Sequence, residues 1–484
     1  MVIAHAGRTR RLSEPAAAQE LAVRLGTGLA LVAVLTACGL AVVRAPAAAG
    51  LLVGLVVAGF VAADWRRGVG ILVVVLAFAG LPVFLINSKY APVLKDLFVV
   101  VPVYAGFFGS RIMRREPLWP RGDALTPLLL LFASMTVVYS LVSPTPAVAA
   151  IGLKVWLLYI PLYGVGYAYV RGREDVIRIV RSLAIVAVVP VLLALVELFY
   201  FIQSGGFGPL LSFYGRFSSG IVRQVGFGVT VPRIPSTFTF NGSYYDFAFV
   251  AFMAGLAYWG YRRTRLSAAL ALVAAAGALV SGERRAYITI PVALVAAVAL
   301  MGSGSHTRLR VALAGFAGIV ALSWLGIPIL DISNRLSEGT VSNINAASQQ
   351  LEPALKHGFF GHGTGSGTNA AFRYSGLSPS SKFAESWYTK ALVELGYFGV
   401  AVVLAIMVVL VRRGYGIVRG LSPPDRALAA PIWVLLFLTA LLLAKASELD
   451  WDPLDAYFWL FAGMLSGLGA VAGDHEGRTP DPER

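Results

Sequence analysis

Charged residues and cysteine are both scarce in this sequence. Of its 484 residues only 13% are charged, whereas 57% are hydrophobic and the mean hydropathy is +0.74. A water-soluble fold of this size cannot bury so many apolar side chains in one core, so the composition excludes a soluble globular protein. Cys38 is the only cysteine, which excludes a disulfide framework and a cysteine-based metal site. The first residues contain no apolar stretch, so we expect no cleavable signal peptide before the first hydrophobic run.

The apolar residues occur in long, continuous blocks. Most blocks have about the 20 residues that an α-helix needs to cross a bilayer, and they lack the alternation of transmembrane β-strands. The sequence therefore predicts an all-α, polytopic membrane helical bundle of about 12–14 transmembrane helices. The predicted spans lie near 25–43, 47–63, 69–86, 91–108, 124–142, 147–170, 177–201, 244–259, 266–280, 286–301, 311–330, 386–411, 427–445 and 454–472.

Basic residues are concentrated in every second gap between these spans. Lys and Arg favour cytoplasmic loops, so the alternation predicts that both termini are cytoplasmic. The predicted division is a cytoplasmic segment 1–24, helices 1–11 over 25–330, a large extracytoplasmic loop 331–385, helices 12–14 over 386–472 and a cytoplasmic tail 473–484. Because the net charge of +15 is spread over many gaps, it forms no nucleic-acid-binding patch.

A few basic residues fall on the predicted outer side, where topology does not account for them. They are Arg216, Arg223, Arg233, Arg284, Arg285, Arg335, Lys356, Arg373 and Lys382. Arg284 and Arg285 lie at a break between two apolar helices, either as an interfacial pair balanced by Glu283 or as ligands of phosphate oxygens. Arg233 precedes a proline-containing extended segment and is either a solvated loop residue or part of the same anion site.

The predicted outer loop carries a glycine-rich run, Gly358–Gly367, between His357 and Thr368. It is no Walker or dinucleotide fingerprint, but its glycines allow tight turns whose backbone N–H groups can face an anion. His357 and His362 are five residues apart and belong to no zinc-ligand pattern, so we expect neither a metal nor a cofactor.

Two carboxylates flank the start of the span after this loop. Glu385 lies at the predicted helix N-terminus, where it either caps the helix or takes part in chemistry. Glu394 lies deeper, where a carboxylate needs a partner or an aqueous pocket.

The order of these features resembles the O-antigen ligase and O-antigen polymerase superfamily, which includes exopolysaccharide polymerases. The resemblance covers most of the chain from about residue 90. Its most specific parts are Arg233-Ile-Pro-Ser-Thr-Phe-Thr-Phe-Asn241, Ser281-Gly-Glu-Arg-Arg-Ala286, and the stretch from Arg335 through Gly361-x-Gly363-x-Gly365 to Glu385-Ser-Trp-Tyr and Glu394-Leu-Gly-Tyr-Phe-Gly399.

The resemblance implies an enzyme of the bacterial cytoplasmic membrane. Family members transfer glycan from an undecaprenyl-diphosphate-linked donor to a hydroxyl of a glycan or lipid acceptor, in some cases with a partner that regulates chain length. The resemblance implies a metal-independent, inverting glycosyltransferase that is embedded in the lipid bilayer, with its active site on the extracytoplasmic side. Arginines would stabilise the negative charge of the diphosphate leaving group, and a general base would accept the proton of the acceptor hydroxyl.

The residues that match these roles are few. Arg233, Arg284, Arg285 and Arg335 are the expected diphosphate ligands, and Glu385, His362 and His357 are the expected proton acceptors. Ligases usually have His followed by Asn or Ser where this chain has Glu385 and Ser386, which favours a polymerase or an unusual acceptor.

Two other functions remain open from the sequence. A transporter or flippase would explain charges within the spans, such as Lys95, Asp96, Lys154 and Glu197. A peptidoglycan polymerase of the elongation class fits the glycine-rich pattern less well.

Overall fold

The computed structural model describes residues 46–86, 91–120, 123–204, 214, 222–225, 229–283, 285–302, 359–368 and 386–476. Within these ranges the chain is almost entirely helical. Six helical segments are long and apolar enough to cross a membrane. They are α4 (Ala91–Arg114), α6 (Pro146–Tyr169), α7 (Arg173–Ser204), α11 (Trp387–Gly420), α12 (Pro423–Leu442) and α13 (Leu454–Glu476). The prediction of an all-α membrane protein is confirmed.

Shorter helices complete the bundle. They are α1 (Pro46–Ala63), α2 (Trp65–Leu76), α3 (Leu81–Ile86), α5 (Leu125–Ser140), α8 (Asn241–Arg262), α9 (Arg265–Val280) and α10 (Ala286–Leu300). An antiparallel hairpin of β1 (Val222–Val225) and β2 (Val229–Pro232) precedes α8, and a 3₁₀ helix, Glu448–Asp450, lies between α12 and α13. Predicted spans 25–43 and 311–330 lie outside the described residues, as does most of the predicted loop 331–385, so the total span count stays a prediction.

Side-chain caps explain where several helices begin. Asp64 accepts hydrogen bonds from the backbone N–H groups of Arg66 and Arg67 at the start of α2. Thr264 and Ser267 form a reciprocal capping box at the start of α9. Such caps satisfy backbone donors that a helix end otherwise leaves unpaired.

The prediction of one continuous span over 69–86 is wrong. Helix α2 ends at Leu76, and α3 begins at Leu81 after a turn. The turn is held by the segment before α8: Gly80 N donates to Thr237 O (2.9 Å), and the Thr237 hydroxyl donates to Ala77 O (2.6 Å). Tertiary partners therefore take the backbone groups that would have continued the helix.

The helices approach closely where glycines face one another's backbone. A Cβ at Gly463 of α13 would lie 2.0 Å from Tyr163 O of α6, and one at Gly166 would lie 2.3 Å from Leu460 O. Small residues permit this contact, as at many interfaces between membrane helices. The α6–α13 pair thus has a fixed register.

The bundle has two chemically different ends. At one end, which we name the basic end, Arg66 bonds Tyr169 O and Asp175, and Arg413 pairs with Asp123. The other ends of the same helices carry most of the buried carboxylates and are named the acidic end. Its principal acidic residues are Asp96, Asp246, Glu283, Glu394, Glu448, Asp450, Asp452 and Asp455.

A candidate site at the acidic end of the bundle

The segment from Arg233 to Asn241 lies against the turn between α9 and α10. Ile234 N donates to Ser281 O (3.2 Å), and Asn241 Nδ2 donates to Glu283 Oε1 (2.8 Å). Gly282 has φ +76°, and a Cβ there would lie 2.3 Å from Pro232 O and 3.4 Å from the Cα of Arg233. Two segments that the sequence singled out separately are therefore in direct contact.

Hydrogen bonds to buried polar groups hold the segment before α8 in an extended conformation. Ser236 N donates to Glu197 Oε2 (3.1 Å), and the Ser236 hydroxyl donates to Pro190 O (2.6 Å). Tyr214 donates to the other oxygen of Glu197. Glu197 of α7 thus serves as an internal anchor, because a buried carboxylate is tolerated when its oxygens are hydrogen-bonded.

Arg285 is surrounded by carboxylates. Its guanidinium lies 3.1 Å from Asp246, pairs with Glu448 and approaches Glu283 at 3.9 Å. It also lies over the ring of Tyr245, 4.4 Å from the centroid. Burial opposes the charge on Arg285, but the neighbouring carboxylates raise its pKa above the ordinary value, so the guanidinium remains cationic. Glu283, the partner that the sequence suggested for this arginine, is therefore one of three carboxylates around Arg285.

An acidic segment between α12 and α13 connects otherwise separate cations. Glu448 contacts Arg285, Asp450 accepts from Lys390 Nζ (2.6 Å), and Asp452 pairs with Lys95 (2.8 Å). In the sequence this segment is only an acidic gap between the predicted spans 427–445 and 454–472. The sequence feature that could have identified it is the run of acidic residues at alternate positions, 448, 450 and 452, in a chain with few charged residues.

Lys95 belongs to a buried ionic network. Its Nζ lies 2.6 Å from Asp96, 2.7 Å from the Tyr159 hydroxyl and 2.8 Å from Asp452. Lys154 approaches the second Asp96 oxygen at 2.8 Å. Lys95, Asp96 and Lys154, which the sequence left open as part of a substrate pathway, are therefore paired with one another or with Asp452. Ionisable side chains are accommodated in a bundle interior by such pairing.

The glycine-rich segment binds an anion that belongs to the protein itself. The fully buried carboxylate of Glu394 accepts from Trp156 Nε1 (2.6 Å), Gly365 N (2.7 Å), Gly367 N (3.0 Å) and the Thr368 hydroxyl (2.8 Å). Sequence reasoning proposed backbone donors facing an anion and, separately, a carboxylate in need of a partner. The tertiary structure shows that the two features satisfy each other.

Positive backbone angles make this arrangement possible. Gly363 and Gly365 have φ of +88° and +86°, and a Cβ at Gly365 would lie 2.2 Å from Val148 O. The neighbouring backbone group His362 N donates a hydrogen bond to Val393 O of α11 (2.8 Å). The segment is thus fixed between α6 and α11, and His362 within it is half-buried.

The expected site residues are only partly brought together. Arg233 and Arg285 flank the same α9–α10 turn, whereas His362 lies against α11. Four expected site residues lie outside the described residues: Arg284, Arg335, His357 and Glu385. The residue after Glu385, Ser386, caps α11 and donates from its hydroxyl to Leu443 O (3.2 Å), which fixes the start of that helix beside the acidic segment.

No family model and no curated protein matches this chain. Half-buried Arg233 supplies positive charge next to the α9–α10 turn, and the acidic segment supplies carboxylates. Burial raises the pKa of Asp450 above its ordinary value, although the Lys390 ammonium opposes the shift, so this carboxyl binds a proton more readily than an exposed aspartate.

A small cavity lies behind these residues. It is lined by Trp156, Tyr159, Trp387 and Asp455, among others, and its volume of about 20 Å³ is enough for about one water molecule. Of these lining residues, Tyr159 is hydrogen-bonded to Lys95, and Trp156 donates to Glu394. The cavity therefore lies between the Lys95 network and the Glu394 site.

Proposed function

We propose that this protein is a membrane glycosyltransferase that transfers glycan from an undecaprenyl-diphosphate-linked donor to an acceptor hydroxyl, as a polysaccharide polymerase or an O-antigen-ligase-like enzyme. One observation carries the proposal. The chain segments that resemble this superfamily, around Arg233, Ser281 and Glu394, all lie at the acidic end of the bundle, although they are far apart in sequence.

The cationic side chains supply what the leaving group requires. A diphosphate gains negative charge as its bond to the anomeric carbon breaks, and guanidinium groups stabilise that charge without a metal ion. Arg233 and Arg284 are the principal ligands in this proposal, with Arg335 from the outer loop. Arg285 contributes mainly by holding the site, because three carboxylates already surround it.

A carboxylate or imidazole accepts the proton of the acceptor hydroxyl. Glu385 is the first candidate base, since it directly precedes the fixed N-cap residue of α11. His362 and His357 are the alternatives. The protein would lie in the bacterial cytoplasmic membrane with both termini cytoplasmic and the acidic end outside.

Transfer by purified protein tests the proposal directly. We expect Arg233→Ala, Arg284→Ala and Glu385→Gln each to lower transfer from an undecaprenyl-diphosphate-linked glycan by about 10²-fold or more, as for the loss of one charge-stabilising or proton-transferring group. Arg67→Ala is the matched control, because Arg67 lies at the basic end and is largely exposed. Normal transfer by all three site variants would remove the proposed site.

The glycan phenotype of a deletion strain separates the two kinds of enzyme. Loss of long chains with single lipid-linked repeats remaining indicates a polymerase. Intact lipid-linked chains that fail to reach their acceptor indicate a ligase.

A transporter or flippase is the second candidate, favoured by the buried network of Lys95, Asp96 and Asp452. Proton or substrate pathways in transporters are built from such intramembrane charges. Proteoliposomes with all donor and acceptor supplied outside distinguish the candidates. Chain growth there requires no translocation and supports the enzyme, whereas donor movement across the bilayer without chain growth supports the transporter.

A further inference from the structure

A pair of partly exposed aromatic side chains lies where the segment before α8 meets the acidic segment. Phe240 is 37% exposed and Trp451 is 36% exposed. Their ring centroids are 5.6 Å apart, with 43° between the planes. Other exposed aromatics, such as Phe60 and Phe199, lie along α1 and α7, within apolar helices that suit a lipid-facing position. A second exposed pair at the acidic end, Phe359–Phe360, belongs to the glycine-rich segment. The Phe240–Trp451 pair differs because it joins the residue before Asn241 to the acidic segment.

Hydrogen-bond acceptors border this aromatic pair. Phe240 directly precedes Asn241, and Trp451 lies between Asp450 and Asp452. The Asp452 side chain is 23% exposed, and that of Glu283, which binds Asn241, is 22% exposed. Solvent therefore reaches carboxylates on both sides of the pair.

One acceptor in this border has no hydrogen-bond partner within the part of the chain that the structure describes. Asn241 is only 2% exposed, and its amide nitrogen donates to Glu283 Oε1 and Ser281 O. Its Oδ1 has no hydrogen-bond partner among the described residues. A buried acceptor without a partner is costly, so its presence in a native structure calls for an explanation such as a ligand or water donor.

The charge of the border determines which ligand it suits. Each carboxylate of the border already contacts a cation: Glu283 contacts Arg285, Asp450 pairs with Lys390, and Asp452 pairs with Lys95. Their remaining acceptor capacity suits a neutral ligand that donates hydrogen bonds better than it suits phosphate. A sugar ring is complementary, because its C–H face packs on aromatic rings while its hydroxyls donate to carboxylate and amide oxygens.

We propose that Phe240 and Trp451 form a subsite for a sugar ring of the acceptor glycan. The assignment to the acceptor rests on the proposed function, in which the donor diphosphate lies towards Arg233. The Phe240–Trp451 pair then orients the glycan, and the carboxylates hold its hydroxyls.

Binding and transfer are measured separately to test this subsite. The probe is the repeat-unit oligosaccharide released by mild acid from the host's lipid-linked glycan, added to purified full-length protein in nanodiscs and followed by saturation-transfer NMR. We expect Trp451→Ala to raise the Kd roughly 3- to 10-fold, the size expected for one aromatic contact, and Trp451→Tyr to restore much of the binding. Phe199→Ala, which removes an exposed ring from α7, should leave the Kd unchanged.

The outcomes are distinguishable. Absence of oligosaccharide binding by the wild-type protein, or unchanged binding by a folded Trp451→Ala protein, overturns the subsite. Binding that depends on Trp451 in a protein with no transfer activity supports the subsite and contradicts the proposed function. If both hold, Trp451→Ala should raise the KM for acceptor more than it lowers kcat.

Discussion

Individual charged side chains at the acidic end are buried together with their partners. Lys390 is fully buried, lies 4.3 Å from the centroid of the Trp156 ring and donates to Asp450. The ammonium is thus satisfied by one carboxylate and one aromatic face. Such pairs contribute little net stability, but the loss of one partner leaves an uncompensated buried charge.

Substitutions of the Lys390–Asp450 pair test this at single residues. We expect Lys390→Met to destabilise the protein by about 3–5 kcal/mol, because Asp450 then lacks its counter-ion. Adding Asp450→Asn should recover part of that loss, since the isolated charge is removed. Thermal unfolding in detergent measures both proteins, and a double variant no more stable than Lys390→Met would contradict the pairing.

The raised pKa of Asp450 predicts that the stability of the protein depends on pH. Because burial raises its pKa, the folded protein binds the Asp450 proton more tightly than the unfolded chain does. The contribution of this group to the free energy of unfolding therefore increases as the pH falls through the folded pKa. Melting temperatures recorded as the pH is lowered from neutral towards the ordinary aspartate pKa of about 3.9 should show this increase in the wild type and a smaller one in Asp450→Asn.

Glu394 is the most completely hydrogen-bonded of these carboxylates. Glu394→Gln replaces one acceptor oxygen with an NH₂ group and so leaves two of its four donors without an acceptor. We expect a cost of about 1–3 kcal/mol per unpaired group. The control is Glu174→Gln, an exposed position at the start of α7, which should change stability by less than about 0.5 kcal/mol. Equal melting temperatures for the two variants would exclude the anchoring role.

At the scale of elements, continuous helices follow from local sequence, whereas their interruptions do not. The apolar blocks correctly predicted helices such as α6, α9 and α12 to within a few residues. The break between α2 and α3 was not predictable, because it is stabilised by Thr237, a residue far along the chain. The glycine-rich segment is similar: its glycines predicted turns, but its partner, Glu394, lies on another element.

Glycine substitutions test how strictly this segment is constrained. Gly365→Ala would combine a φ of +86° with a methyl group 2.2 Å from Val148 O, so we expect a clear loss of thermal stability and of folded protein. Gly70→Ala in α2 is the matched control, since its Cβ meets nothing within 4 Å and alanine favours a helix. Normal stability of Gly365→Ala would show that the segment rearranges freely.

The whole molecule separates charge by end. Arg66 and Arg413 lie at the basic end, and the acidic segment lies at the other. The positive-inside rule then predicts that the basic end is cytoplasmic, which would place the candidate site outside.

Cysteine labelling of intact cells tests this orientation. In a Cys38→Ser background, Phe360→Cys should react with a membrane-impermeant maleimide, whereas Arg67→Cys should react only after permeabilisation. Phe360 is 71% exposed, and the Arg67 side chain is 71% exposed, so access within the protein is comparable. The reverse labelling pattern would invert the topology and exclude an extracytoplasmic site.

The sequence alone determined that the chain is a helical membrane protein and which basic residues depart from the predicted topology. Hydrophobic block length and basic-residue spacing are local properties, and the bilayer imposes a length on each helix whatever its neighbours are. Only the tertiary structure decided that Arg285 lies among three carboxylates, that the acidic segment joins Lys95, Lys390 and Arg285, and that the glycine run encloses Glu394. These pairings depend on which helices pack together, and buried charges take the partners that packing brings within reach.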